Sequence, residues 1–93
     1  MISYNLEMTT TEIKPITVQM IDLFDGETIT DASVTHTSPG GSALVITPDV
    51  DSPYVNFEMG PFGVAGQHFV KVHGEGSLGS GPEVLYAIVV KDV

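Results

Sequence analysis

The residues of this chain best suited to chemistry are Asp49 and Asp51, two carboxylates one residue apart in a loop bounded by Pro48 and Pro53. Hard oxygen donors at that spacing suit Ca²⁺, which takes roughly six to eight oxygen ligands. Asp22, Asp25, Asp31 and Glu58 are the available companions. The plainer reading is a solvated acidic loop whose aspartates hydrogen-bond their own backbone, and two side chains do not fill a calcium site. His36, His68 and His73 are the only imidazoles. His68 and His73 are separated by an odd number of positions, so on one strand they point to opposite faces, which weakens a two-histidine metal site. There is no cysteine and no G-x-S-x-G elbow, hence no thiolate and no recognisable activated serine. A glycosidase needs two converging carboxylates, and nothing in the spacing selects a pair. Phosphate loops and dinucleotide fingerprints are also missing. The expectation is a protein with no catalytic residues, no cofactor and no metal.

The elements that position these residues read as strands throughout. Ile16-Thr17-Val18-Gln19-Met20 alternates, then slips at Met20-Ile21 as at a bulge or bend. Asp25-Gly26 is a tight-turn signal, because glycine tolerates positive φ. Ile29 to Thr37 alternates apolar with hydroxyl-bearing side chains, the pattern of a half-buried strand. Ser38-Pro39-Gly40-Gly41-Ser42 ends it, and Ala43 to Thr47 is a short β-branched run. After the acidic loop, Tyr54 to Met59 alternates. Gly60 to Gly66 is a connection with Phe62 and Val64 at its tip. Gln67 to Glu75 and Val84 to Val90 are the last strands, joined by a glycine-rich loop. Val84, Tyr86, Ile88 and Val90 face one way and Leu85, Ala87 and Val89 the other, so this strand is expected to be covered on both faces, within the fold or by another subunit. No window carries a 3.6-residue apolar stripe with caps, which predicts little or no helix. About seven short strands at roughly 8–12-residue spacing predict an all-β fold, an antiparallel immunoglobulin-like β-sandwich, with closed barrels and jelly rolls as alternatives.

The expected division is an N-terminal arm over residues 1–14 and a sandwich domain over residues 15–93. In the arm, Ile2, Tyr4, Leu6 and Met8 alternate with Ser3, Asn5 and Glu7. This is either an edge strand of the domain's own sheet or a strand that adds to a neighbouring subunit.

Ninety-three residues with 42% hydrophobic content suffice for one modest core. Twelve acidic residues face only Lys14, Lys71 and Lys91, with no arginine, for a net charge of −9. That surface repels phosphate backbones and anionic lipid faces, which argues against nucleic-acid and membrane partners. It keeps a strand-rich chain dissolved or fits a basic partner surface. The first residues lack the basic start and apolar stretch of a signal peptide, so the chain is expected to be made in the cytoplasm. No apolar run approaches the ~20 residues that span a bilayer.

The features most suited to function are therefore contacts. Tyr4, Leu6, Met8, Tyr54, Phe62, Val64, Phe69 and Tyr86 are the candidate interface residues, because exposed aromatic and aliphatic side chains mark binding surfaces. The alternative, burial in the core, applies most to Phe69 and Tyr86 and least to Phe62.

The stretch Asp25-Gly26-Glu27-Thr28-Ile29-Thr30, followed by Ala32, Val34 and Thr35, resembles the corresponding stretch of small immunoglobulin-like virion proteins of tailed bacteriophages, the fibre–tail adaptor or minor structural type. Gly66, His68, Val70 and Val72, then Leu85 to Val90, continue the similarity, which covers about residues 16 to 92. His68 stands where that family usually has a tyrosine. The resemblance implies a non-enzymatic virion component at the neck or tail adaptor, made in the host cytoplasm. Its partners would be other virion proteins and copies of itself, in a homo-oligomer, ring or shell. Capsid decoration is the alternative placement. From another class, a calcium-dependent carbohydrate-binding module would use Asp49 and Asp51 as ligands and Tyr54 as the stacking ring.

Overall fold

The computed structural model describes residues 2–21 and 23–92. All regular structure among them is β. The strands are β1 (Ile2–Thr9), β2 (Lys14–Gln19), β3 (Ile29–Thr37), β4 (Ala43–Ile46), β5 (Asp49–Asp51), β6 (Tyr54–Met59), β7 (Gly66–Gly76) and β8 (Glu83–Lys91). They form two sheets, one of five strands in the order β1-β8-β7-β3-β4 and one of three in the order β2-β6-β5. All neighbours are antiparallel except β1 and β8, which run parallel with Ile2 opposite Val84 and Thr9 opposite Lys91.

Alternation decides which side chains fill the space between the sheets. Val70 and Val72 of β7, Val84, Tyr86, Ile88 and Val90 of β8 and Val34 of β3 point inward from the larger sheet. Val18 of β2 and Val55, Phe57 and Met59 of β6 meet them from the smaller one, with Met8, Met20 and Ile29 filling the margins. Burying each such side chain stabilises the fold by about 1.5–3 kcal/mol before chain entropy is counted. The same alternation on β7 sends Gln67, Phe69, Lys71 and His73 outward, and on β8 Leu85, Ala87 and Val89.

The described residues hold eight strands where about seven were expected, because Asp49–Asp51 pairs with β6 (Asp49 opposite Asn56, Asp51 opposite Tyr54) instead of remaining a loop. A three-residue strand is too short to show a period. Of the two readings of the expected arm, the edge strand of the domain's own sheet is the one that forms: Ile2–Thr9 pairs with β8, and Met8 lies in the core at 2% exposure. The Asp25-Gly26 turn forms, with Gly26 at φ 77° and the Glu27 amide donating to the Phe24 carbonyl at 2.9 Å. It carries the chain from one sheet to the other, since β2 and β3 belong to different sheets. The slip at Met20-Ile21 falls where the chain leaves β2, and a register shift lies between Ile29 and Asp31.

Candidate interaction surface

The eight candidate contact residues separate into three settings: the core, the rims and smaller sheet of the sandwich, and the outer face of the larger sheet. Met8 and Tyr86 are core residues and present almost nothing to a partner. Tyr4 stacks on Tyr86, ring centroids 5.3 Å apart, where β1 approaches β2 and leaves a groove of about 310 Å³ that Leu6, Ile16 and Val18 also line. Burial pushes the Tyr86 phenol above its ordinary pKa, and Tyr4 beside it adds to the shift. Phe62 is half-buried at one end of the sandwich, and Val64 beside it is exposed. Tyr54 is exposed on the three-stranded sheet at the end of β6.

Phe69 occupies the third setting, the outer face of the five-stranded sheet. It lies opposite Ala87 on β8 and opposite Thr37 on β3, and its ring is 40% exposed. Val89 on the same face is equally exposed, and Leu85 and Ala87 are half-buried. Two shallow depressions of about 280 and 300 Å³ flank this strip, the first lined by Thr35, Thr37, Phe69, Lys71 and Leu85, the second by Asn5, Gln67, Ala87 and Val89 among others. Of the two alternatives for the covered second face of β8, the fold itself supplies no cover. Lys71, opposite Leu85, and Lys91 flank the strip, bridged to Glu83 at 3.2 Å and Glu7 at 3.4 Å. Exposed ion pairs of this kind add little stability. The apolar strip lies between these two pairs, in a chain of net charge −9.

Sequence reasoning did not single out Leu44 and Val45. Both lie on β4, at the free edge of the larger sheet, and they are 63% and 82% exposed. Their signal was available: an uncharged β-branched run between Gly40-Gly41 and Pro48.

Two buried polar clusters brace the ends of the β3–β7 ladder. At one end His36 and His68, on neighbouring strands, are in direct contact. His68 Nε2 lies 2.7 Å from the Val64 carbonyl oxygen, so that nitrogen carries the proton. Its Nδ1 is then left to accept from His36 Nε2, also at 2.7 Å. Phe62 stacks on both rings, 4.4 Å from His36 and 4.8 Å from His68. Burial lowers the His36 pKa, and proximity to His68 lowers it further. The odd separation of His68 and His73 does place them on opposite faces; His73 lies outside, 3.3 Å from Glu83.

At the other end the Glu27 carboxylate tucks under the loop between β7 and β8. It accepts from the amides of Phe24 (3.0 Å), Leu78 (2.7 Å) and Ser80 (3.1 Å) and from the Ser80 hydroxyl. Burial alone would raise its pKa, but these hydrogen bonds, Ser80's foremost, hold it down at about 2. A side chain at Gly76 would overlap the Glu27 carboxylate and the Ser80 hydroxyl, so it would displace the brace.

Asp49 and Asp51 point from β5 to the same exposed side. Among the described residues no group of three or more His, Asp or Glu gathers as a metal site would need. An open groove of about 570 Å³ passes Asp49 and Glu58 over Pro15, Ile46 and Pro48. Compared with known proteins, the chain matches no protein-family model and no curated protein.

Proposed function

We propose that the chain is a non-enzymatic structural protein that acts by protein–protein contact, an immunoglobulin-like sandwich present in many copies in a tailed-phage particle at the neck or tail adaptor. The observation that carries this reading is the exposed apolar strip on the outer face of the five-stranded sheet, where Phe69, Leu85, Ala87 and Val89 lie side by side. An apolar strip rimmed by ion pairs is the anatomy of a contact surface. The strand order supports the immunoglobulin-like type. β2-β6-β5 against β8-β7-β3-β4 corresponds to the B-E-D and G-F-C-C′ strands of such sandwiches, and β1 takes the place of an A strand. The phage setting rests on the resemblance of Asp25 to Thr30 and of the last two strands. Mass spectrometry of purified particles tests it: the chain is expected in multiple copies, and Phe69→Asp is expected to lower its copy number while the isolated variant stays folded. Absence of the chain from purified particles would overturn the reading. Truncating the first residues is a poor test, since removing Met8 opens the core.

A further inference from the structure

The outer faces of the two sheets differ in character. The larger sheet presents the apolar strip around Phe69, flanked by two bridged lysines. On the smaller sheet Asp49 lies opposite Asn56 and Asp51 opposite Tyr54, and alternation puts Glu58 on the same face as Asn56. Pro15, Thr17 and Gln19 of β2 complete that face, which therefore carries three exposed carboxylates and no cation. The lysines of the chain are spent elsewhere, on Glu12, Glu83 and Glu7, and among the described residues no ion pair reaches Asp49, Asp51 or Glu58. Beside these carboxylates the ladder is incomplete. β5 ends opposite Asn56, so Phe57, Glu58 and Met59 have β2 on one side and no strand on the other. The chain enters β5 from Pro48, which has no amide to extend the pairing. The groove of about 570 Å³ is lined by both sides of this gap, Phe57 and Glu58 on one and Thr47 and Pro48 on the other. Its volume falls within the roughly 300–1,000 Å³ of ligand clefts.

We propose that this groove docks an extended, lysine- or arginine-bearing segment of a different protein, laid beside Phe57–Met59 as an added strand. Three features of the groove select that occupant. The free edge of β6 matches an extended backbone. The apolar lining from Pro15, Ile46 and Pro48 accepts the methylene stems of long cationic side chains. The unbridged carboxylates of Asp49 and Glu58 match the cations at their ends. A second copy of the chain does not fit, since its net charge is −9 and its lysines are already bridged. Calcium does not fit either, because among the described residues no three acids gather closely enough to hold it. Side chains of an added strand alternate between faces, so the matching segment has basic residues two positions apart. The site rests on the contact-protein reading and adds to it a second surface, distinct from the Phe69 face, with the chemistry of its partner.

The test is a calorimetric titration of the full chain with a short peptide of alternating lysine and valine, blocked at both ends. Binding is expected at low salt and is expected to weaken as salt is added, while the same peptide with glutamate for lysine does not bind. Asp49→Asn combined with Glu58→Gln is expected to lower the affinity roughly tenfold, with the circular dichroism unchanged. Asp31→Asn combined with Glu75→Gln removes the same charge from the larger sheet, where the two residues lie opposite each other, and is expected to leave the affinity as it was. In nuclear magnetic resonance spectra the amides of Phe57, Glu58 and Met59 are expected to shift on binding and those of Phe69 and Val89 to stay. Failure of the lysine peptide to bind overturns the docking site, and a melting temperature raised by calcium instead would assign the face to a metal. Equal losses from the two double variants would reduce the binding to general attraction and overturn it too, as would shifts confined to the Phe69 face. Each of these failures leaves the contact-protein reading to be decided separately by the particle measurement.

Discussion

The two ends of the β3–β7 ladder solve one problem with opposite chemistry. Each must hold a connecting loop against the mouth of the sandwich. At the Ile29–Gly76 end the brace is an ionised carboxylate. Glu27 collects backbone and hydroxyl donors from a loop whose glycines leave its amides free to turn inward. At the His36–His68 end the brace is uncharged at its centre and flat. Two imidazoles pass hydrogen bonds in one direction to the Val64 carbonyl, and Phe62 lies across both. A charge is tolerable where it is surrounded by fixed donors, and the same burial without donors favours a neutral ring. The local supply of amide hydrogens thus decides which kind of polar group can close an end.

The largest loss is expected of His68→Ala. It removes a fully buried ring, leaves the Val64 carbonyl and His36 Nε2 without partners, and takes away one side of the stack. A loss of about 3 kcal/mol in urea unfolding is expected. Glu27→Gln should act more locally. Amide exchange at Leu78 and Ser80 is expected to speed up by at least about tenfold, while exchange in β6 stays as it was. Phe62→Ala is expected to cost about 1 kcal/mol through the lost stacking, and a double-mutant cycle with His68→Ala should show strong coupling.

The two ends also separate on the pH axis. The Glu27 pKa is depressed from 4.5 to about 2 in the fold. Its stabilisation is therefore full above about pH 4.5 and is lost as pH falls toward 2. The His36 pKa is lowered from 6.5, so the unfolded chain takes up its proton first. That contribution is complete above about pH 6.5 and erodes as the solution becomes more acidic. Difference curves isolate each window from the general relief of negative charge on acidification. Wild type minus Glu27→Gln should change only at the lower range, and wild type minus His36→Phe only at the upper. If both differences were flat from pH 7 to 3, the assignment of charge to one end and neutrality to the other would be wrong.

The period-two pattern made much of this legible. Val55, Phe57 and Met59 share the inward face of β6, and His68, Val70, Val72 and Gly74 that of β7, as their alternation requires. β8 reads apolar on both faces; its inner face fills the core, and its outer face leaves Val89 exposed and Leu85 and Ala87 half-buried. What was not legible depends on register between distant strands. Glu27 looks like one more acid beside a turn until Leu78 and Ser80, more than fifty positions on, deliver their amides to it. His36 and His68 meet only because β3 and β7 are neighbours with His36 opposite Val70, one diagonal step from His68. The exposed Leu44 and Val45 follow from β4 being the last strand in its sheet, which depends on strand order rather than composition.

The parallel ladder between β1 and β8 also bears on how the chain is made. During synthesis the first strand leaves the ribosome long before its neighbour exists, so Met8 has no finished core to enter until Ile88 and Val90 emerge. Closure of the space between the sheets therefore waits on β8, the last of the described strands, and the early strand must be kept from other nascent chains in the meantime.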